Sequence, residues 1–291
     1  SSDLENGSTT LRRNDIMSTM KNTDTNRIQP QPRLKDYRTI DIVKRIIWYL
    51  GVAFIVFIML GPLLWMLSTS VKPLNEVFQM PPEFIPSKFQ FNNFWEGWTA
   101  LPFNTFLKNS LIISCANVIG NILSCSLVAF GFSRIRHPWR DKIFYLVLAT
   151  MMVPMQATLI PRFILFDKLG WIDTLRPLIV PAWLGYPFFI FILRQFFLTI
   201  PLELDEAAKI DGASFFHIYA RVIVPLAKPA IATVALLGFR GNWINYLLPL
   251  VYLSSEENYT LPIGLSLFQG AYFSRTNQMM AVALLTILPL V

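Results

Sequence analysis

The sequence predicts an all-α membrane protein with six transmembrane helices, the sixth of which is cut short. Three observations support this prediction. Of the 291 residues, 54% are hydrophobic and only 15% are charged, whereas about a quarter of the residues of a soluble domain are charged. Several charge-free runs are long enough to cross a bilayer as a helix, which takes about 20 residues. The basic residues also alternate between high and low numbers in the segments that separate these runs.

Five spans and a shortened sixth follow from these runs. Four of the runs hold 26, 25, 19 and 17 uncharged residues in chain order, and they cover residues 46–71, 109–133, 143–161 and 177–193. The fifth span, residues 229–255, is interrupted by Arg240, and the sixth is residues 276–291. We expect Pro154 and Pro161 to bend the third span, because proline removes a helix hydrogen bond and clashes with the preceding turn.

The distribution of Lys and Arg predicts a cytoplasmic N-terminus. The segments before the first span, between the second and third, and between the fourth and fifth carry nine, four and four of these residues. The three alternate segments carry three, three and one. Cytoplasmic segments hold the positive excess in membrane proteins. Orientation in the membrane therefore explains the net charge of +7 without a nucleic-acid partner.

The segments outside the spans differ in composition. Residues 1–45 are polar and are interpreted as a disordered cytoplasmic tail. The chain begins without Met, so residues 1–16 are interpreted as an upstream extension or a remnant of cloning. Residues 72–104 are rich in proline and aromatic residues, which predicts an ordered extracytoplasmic loop. Residues 199–226 form a cytoplasmic loop within a transmembrane domain that covers residues 46–291.

The composition also excludes several classes of site. The two cysteines, Cys115 and Cys125, lie in one apolar run, which argues against a disulfide framework or a cysteine zinc site. The sequence has no Gly-x-x-x-x-Gly-Lys phosphate loop. We therefore predict no catalytic residue, no metal site and no cofactor on this chain.

The cytoplasmic loop predicts two short helices separated by a glycine. Asp205 and Glu206 favour a helix N-terminus, and Ala207 and Ala208 favour helix. Gly212 can end that helix in a left-handed conformation. The second helix is bounded by a capping hydroxyl and a proline, at Ser214 and Pro225. Such a pair of exposed helices is suited to docking against a partner protein.

This loop resembles the EAA loop of ATP-binding-cassette importer permeases, which reads Glu-Ala-Ala, three residues, Gly, nine residues, then Ile-x-Leu-Pro. The matching positions, with the aspartate that precedes the glycine, are Glu206, Ala207, Ala208, Asp211, Gly212 and Pro225. Val222 and Val224 stand where the pattern has Ile and Leu. Further segments are similar to the maltose-type branch, which imports carbohydrates: Pro154-Met-Gln156, Ile160-Pro161, Leu169-Gly170, Pro187-Phe-Phe-Ile190, Arg194-Gln-Phe-Phe197, Tyr259-Thr-Leu-Pro262 and Gly264-Leu265.

The resemblance implies the type I ABC importer permease fold and the permease subunit of a binding-protein-dependent oligosaccharide importer. It implies as partners a homologous permease, two cytoplasmic ATP-binding subunits that hold ATP and Mg²⁺, and an extracytoplasmic solute-binding protein. The six matching residues would couple to the ATPases, so this chain would be a transport subunit and not an enzyme. An importer of a sugar phosphate and an ion-driven carrier are the alternatives. The carrier would need acidic residues within the spans, and the charge-free runs contain none.

A polar and aromatic patch in the fifth span is a candidate substrate path. Its residues are Arg240, Asn242, Trp243, Asn245 and Tyr246. Aromatic faces stack on sugar rings, while amides and guanidinium groups bind hydroxyls or carboxylates. If Arg240 contacts substrate, an acidic sugar is expected. The alternative is that Arg240 pairs with a carboxylate of the partner permease and that the amides bond between helices.

Overall fold

The computed structural model describes residues 34–269 and 275–290, and all regular secondary structure in these residues is helical. The chain divides into two compact units, residues 1–62 and residues 63–291. The first helix, α1, runs from Leu34 to Ser70 and contains Pro62. Its side chains at positions 41–60 are exposed on every side of the helix, which is typical of a membrane span.

The start of α1 corrects one prediction. Residues 1–33 of the predicted disordered tail lie outside the described residues, but residues 34–45 are helical. The membrane span supplies a formed helix, and extending a helix costs much less than nucleating one. The polar residues before the first span therefore continue the helix.

The larger unit contains fourteen further α-helical segments in its described part. In chain order they are α2 (Leu74–Val77), α3 (Asn92–Ala100), α4 (Phe103–Arg134), α5 (Arg140–Ala149), α6 (Met155–Lys168), α7 (Arg176–Ile179), α8 (Pro187–Thr199), α9 (Glu203–Ile210), α10 (Phe215–Ile218), α11 (Val224–Leu226), α12 (Lys228–Trp243), α13 (Leu247–Tyr252), α14 (Leu261–Leu267) and α15 (Thr276–Ile287). Short 3₁₀ turns follow α5, α7, α13 and α15, and a π-helical turn, Tyr219–Ile223, joins α10 to α11.

The six predicted spans correspond to apolar helical segments, but in the described residues only three are long and apolar enough to cross a membrane without counting a bent pair as one span. These are Asp41–Ser70, Phe103–Arg134 and Arg176–Thr199. Two more pass the same test of length and composition only as bent pairs, with breaks of 93° and 78°. The sixth segment, Thr276–Leu290, is a shorter apolar helix.

The two bends have identifiable positions. The 93° break lies between Arg140–Met152 and Met155–Lys168, so Pro154 lies at the bend as predicted, whereas Pro161 lies inside α6. The 78° break separates Phe215–Leu226 from Lys228–Trp243. It follows Pro225 and therefore lies where the predicted loop, residues 199–226, ends and the long helix of the fifth span begins.

The fifth span is shorter than the predicted residues 229–255. Helix α12 ends at Trp243, and α13 begins only at Leu247. The Asn245 Oδ1 atom accepts a hydrogen bond from the Leu248 backbone N–H at 3.3 Å. This local bond competes with continuation of the helix, as asparagine side chains commonly do.

Helix α4 is the central helix of the larger unit, with 32 residues and a length of about 48 Å. It packs along α8 and α12. A core cluster surrounds its Arg134 end and includes the fully buried side chains of Leu193, Phe197 and Ile223. A second cluster surrounds its Phe103 end. The two ends of α4 are therefore held by separate cores.

The segment between the first two spans packs against α15. Asn93 of α3 donates from Nδ2 to the backbone oxygens of Ser70 and Lys72, each at 2.9 Å. A Cβ atom on Gly97 would lie 2.9 Å from Val282 Cγ2, so the absence of a side chain lets α3 approach α15 closely. This proline-rich loop is thus ordered by direct contact with the last helix.

Candidate functional site

The predicted helix–glycine–helix arrangement within residues 199–226 is confirmed. Helix α9 covers Glu203–Ile210, and Gly212 has a φ of +80°. The Gly212 N–H donates to the Lys209 oxygen at 3.0 Å, and the Ala213 N–H donates to the Ala208 oxygen at 2.9 Å. These two bonds form the Schellman motif that ends a helix through a left-handed residue. We call residues 203–226, which are the helical part of the predicted loop 199–226, the coupling loop below, after the role that the sequence predicts for it.

The second half of the coupling loop begins at the predicted cap. The Ser214 hydroxyl accepts a hydrogen bond from the His217 backbone N–H at 3.3 Å, which satisfies one of the free donors at a helix N-terminus. The helix then widens into the π-helical turn Tyr219–Ile223 and ends at Leu226. Sequence patterns gave no signal for the π turn, which inserts Tyr219 towards α4.

The six predicted coupling residues lie on the exposed side of the loop. Glu206, Ala207, Asp211 and Pro225 are exposed, as is Gly212, whereas Ala208 is partly buried. Apolar side chains are exposed beside them, including Ile210 at 87% and Phe216 at 70%. A carboxylate surrounded by exposed apolar groups is a surface that a partner protein can cover. The arrangement is chemically suited to docking and contains no catalytic grouping.

A buried ion pair, which the sequence patterns did not predict, attaches the coupling loop to α4. Arg134 Nε lies 2.9 Å from Asp205 Oδ2, and the two side chains are only 2% and 7% exposed. Arg134 Nη2 also donates to the Ile200 backbone oxygen at 3.0 Å. In the sequence, Arg134 counts only towards membrane orientation and Asp205 only as a helix-start residue. The residues are 71 positions apart, so no local spacing indicates the pair.

A second contact joins α4 to the π turn. The hydroxyl groups of Ser126 and Tyr219 lie 2.6 Å apart and are hydrogen-bonded. The Tyr219 ring also meets the Phe130 ring edge to face, with centroids 5.4 Å apart. Both halves of the coupling loop therefore contact the same helix.

The structure changes the interpretation of two residues of the candidate substrate path. Arg240 lies in the last turn of α12 rather than near the centre of a span, and it is exposed. In the described part of the chain it has no ion-pair partner. Trp243 is 3% exposed and donates from Nε1 to the Thr286 oxygen at 2.8 Å. Its ring stacks on Phe239, so it packs in the core and is not free to stack on a sugar.

The remaining residues of that patch divide between packing and exposure. Asn242 accepts at Oδ1 from Asn117 Nδ2 at 2.6 Å, so its amide bonds between helices, as the alternative interpretation expects. Asn245 is partly buried and caps the following segment. Tyr246 is 41% exposed. Arg240 and Tyr246 are therefore the members of the patch most available to a solute.

The described residues offer no metal site. Nowhere in residues 34–269 and 275–290 do three or more His, Cys, Asp or Glu side chains come together as metal ligands would. The Cys115 and Cys125 thiols are free, and Cys125 is buried.

Comparison with known proteins identifies the family. The family model of the binding-protein-dependent transport system inner membrane component matches residues 116–291. The ABC transporter permease protein ORF2 of Caldicellulosiruptor sp. (strain Rt8B.4) is 38% identical over 79% of this chain and 83% of that protein. The arabinooligosaccharides transport system permease protein AraQ of Halalkalibacterium halodurans is 34% identical over 83% of this chain and 88% of that protein.

A solved structure shares the fold. A chain of a bacterial ABC transporter involved in the import of the acidic polysaccharide alginate matches with a TM-score of 0.73 and 24% identity, covering 90% of this chain and 95% of that chain. The fold is therefore that of an ABC importer permease. From the family match and the identity of its relatives, this chain belongs to the inner-membrane components of binding-protein-dependent transport systems.

Proposed function

We propose that this chain is a permease subunit of an ATP-driven importer of oligosaccharides. The observation that carries the proposal is the 34% identity, over 83% of this chain, to an arabinooligosaccharide transport permease. The exposed coupling loop supports it, because a transport subunit without its own nucleotide site needs a surface that receives motion from an ATPase. The carbohydrate assignment and the coupling assignment are separate and are tested separately.

The coupling part of the proposal names the partners. A homologous permease completes the pore, an extracytoplasmic solute-binding protein delivers the sugar, and two ATP-binding subunits hold ATP and Mg²⁺ on the cytoplasmic side. The coupling loop lies on that side, which also puts the N-terminus in the cytoplasm, in line with the excess of Lys and Arg in those segments. Glu206 would offer its carboxylate to a basic groove of the ATPase.

The Glu206→Ala variant tests this docking role. We expect the ATP-binding subunits to be lost from the complex during purification, because the exposed carboxylate makes their contact. The matched control is Glu256→Ala, which removes another exposed glutamate. Glu256 lies in the segment between α13 and α14, outside the coupling loop. Equal retention of the ATPases by both variants would contradict the docking role.

The substrate part of the proposal concerns Arg240. Its exposed guanidinium at the end of α12 suits a carboxylate or phosphate, which Arg binds with two parallel hydrogen bonds. We propose that the transported oligosaccharide is acidic, with a uronide as the charged unit. A sugar phosphate offers the same charge and is an outcome of the same test.

The test is ATPase stimulation in the reconstituted complex with its binding protein. Neutral oligosaccharides, matched uronide-containing ones and a sugar phosphate are compared in wild type and in Arg240→Leu. Stimulation by uronides alone, lost in Arg240→Leu, supports the proposal. Equal stimulation by neutral sugars would leave an oligosaccharide importer in which Arg240 is structural. Stimulation by the sugar phosphate alone, or by no sugar, would overturn the oligosaccharide assignment.

A further inference from the structure

We propose that the buried ion pair Arg134–Asp205 is a positioning pair that fixes the coupling loop to α4, so that loop and helix move as one body. The inference rests on the proposed function, because it concerns how motion received by the loop reaches the substrate path. It goes beyond the motif, since neither residue is one of the six coupling residues. Neither residue is assigned a contact with ATPase or substrate.

The surroundings of the pair favour a fixed geometry. Its two side chains are 2% and 7% exposed, so water cannot replace either partner. Arg134 lies in the last turn of α4, and Asp205 lies in the first turn of α9. A cation is stabilised at a helix C-terminus and an anion at a helix N-terminus. Each charge is therefore favoured by its own helix as well as by its partner.

The contacts of α4 with the coupling loop lie along one face. Ser126, Phe130 and Arg134 are spaced by four residues, which places them on the same side of the helix. Ser126 and Phe130 contact Tyr219 in the second half of the loop, and Arg134 contacts Asp205 in the first half. The ends of this row are separated by about 12 Å along the helix. One contact would let the loop pivot, whereas two contacts at this separation resist rotation.

The same helix continues to the substrate path. Asn117 of α4 donates to Asn242 of α12 at 2.6 Å and to the Leu178 oxygen at 2.9 Å. Asn242 is two residues from Arg240. A body made of the coupling loop and α4 would therefore extend about 25 Å from Arg134 to the level of Asn117. Movement of the loop would displace the end of α12 without an intermediate hinge.

The chain offers a matched control in an exposed ion pair. Arg194 Nη2 lies 3.0 Å from Asp141 Oδ1, and the Asp141 side chain is 52% exposed. This pair also lies near the Arg134 end of α4, because Arg194 Nε donates to the Phe132 backbone oxygen. Asp141→Asn therefore makes the same chemical change as Asp205→Asn, in the same region, where water can replace the lost partner.

The first experiment measures sugar transported per ATP hydrolysed in the full complex reconstituted with its binding protein. For Asp205→Asn we expect a fall of about tenfold in this ratio while ATP hydrolysis continues. For Asp141→Asn we expect a ratio within about twofold of wild type. Asp205→Asn leaves the Arg134 cation buried without a partner, which can destabilise the fold. We therefore also measure the double variant Arg134→Leu/Asp205→Leu, in which apolar side chains replace the pair. If Asp205→Asn or the double leucine variant assembles with the ATPases and transports as much sugar per ATP as the wild type, the proposal is wrong.

A second experiment tests the single body without sugar, which separates this inference from the oligosaccharide assignment. Spin labels are placed at Leu127 of α4 and Leu204 of α9, which are 47% and 42% exposed, after Cys115→Ser and Cys125→Ala. In the wild-type background we expect the same distance with and without a nucleotide analogue. With Asp205→Asn we expect a broader distance distribution. A nucleotide-dependent change of distance in the wild-type background would overturn the proposal even if oligosaccharides are transported.

Discussion

The two ends of α4 are anchored by different chemistry. At the Arg134 end, the coupling loop contacts α4 through the buried ion pair with Asp205, at 2.9 Å, and through the hydroxyl and ring of Tyr219 two turns further along, beside an apolar core that buries Ile223 of the loop. The charged contact is strong only while both partners are present, because an unpaired buried charge costs more than the pair contributes. The charged part of this attachment therefore depends on two side chains that are distant in the sequence.

At the Phe103 end the polar contacts are neutral. Asn109 Nδ2 donates to the backbone oxygens of Glu257 and Tyr259 at 2.8 and 3.0 Å. Ser110 Oγ accepts from the Leu261 N–H at 2.9 Å. An aromatic cluster packs beside these bonds. Each neutral hydrogen bond contributes only about 0.5–1.5 kcal/mol, so the loss of one leaves the others in place.

The difference indicates what each end must resist. Several weak contacts hold a segment in place, but the distance across each contact can change slightly. An ion pair buried between two helix ends fixes their relative position through one short contact. The coupling loop has such an ion pair in addition to its apolar core, which would suit the proposed role of receiving motion from an ATPase. The predictions that follow test this contrast, beginning with the ion pair.

Arg134→Leu is expected to have the largest effect on stability. It leaves the Asp205 carboxylate buried without its partner, which costs about 3–5 kcal/mol. Adding Asp205→Leu removes that charge and should restore most of the loss. Denaturant unfolding of the purified complex measures both variants. If the single and double variants are equally unstable, the loss comes from packing and not from the unpaired charge.

Gly264→Ala tests the tightness of the neutral end. A Cβ atom at this position would lie 2.7 Å from Phe106 Cε2 and 3.1 Å from Phe103 Cε1. Both rings are fully buried, so they cannot move aside freely, and overpacking should cost about 1–3 kcal/mol.

The matched control for Gly264→Ala is Gly241→Ala. A Cβ atom there meets nothing within 4 Å, and Gly241 lies inside α12. Alanine is favoured over glycine in a helix by about 1 kcal/mol, so no loss is expected. Thermal unfolding compares the two. Equal midpoints for both variants would show that the Phe103 end can expand.

Gly212→Ala is expected to destabilise the coupling loop without any steric clash. A Cβ atom at Gly212 meets nothing within 4 Å, but the residue has a φ of +80°. The left-handed conformation costs a residue with a side chain about 1–2 kcal/mol. Asparagine tolerates this conformation better, so Gly212→Asn should lose less. Thermal unfolding and ATPase retention measure both, and a loss for Gly212→Asn as large as that for Gly212→Ala would show that the left-handed conformation is not the cause.

Sequence patterns predicted the features that depend on neighbouring residues. The apolar runs located the helices, and Gly212 and Ser214 ended and began the loop helices as expected. The same patterns could not reveal Arg134–Asp205, because its partners are brought together only by packing. They also placed Arg240 near the middle of a continuous helix, whereas α12 ends at Trp243 and is followed by a local hydrogen bond to Asn245. The burial of Trp243 likewise depends on α15, which lies later in the chain.

The smallest predicted effect concerns Asp173, which joins two loops outside the spans and close in structure to the Phe103 end. Its carboxylate accepts hydrogen bonds from the Ser255 hydroxyl and from the backbone N–H groups of Ser255 and Ser254, the latter two at 2.9 Å. These bonds, with the Ser255 hydroxyl as the largest cause, hold the pKa of Asp173 well below its usual range. The carboxylate is thus favoured in its charged form by the folded protein.

The sign of the pH dependence follows from this lowered pKa. Because the unfolded value is about 3.9, the contribution of Asp173 to stability is fully present above that pH and is lost as the pH falls below it. Solvent screening limits the contribution to about 1 kcal/mol or less. Asp173→Asn removes the titrating group, and asparagine tolerates the residue's φ of +59°. Thermal unfolding between pH 3 and pH 6 should therefore show a shallower acid dependence for the variant. Parallel curves would mean that these bonds leave the Asp173 pKa unchanged on folding.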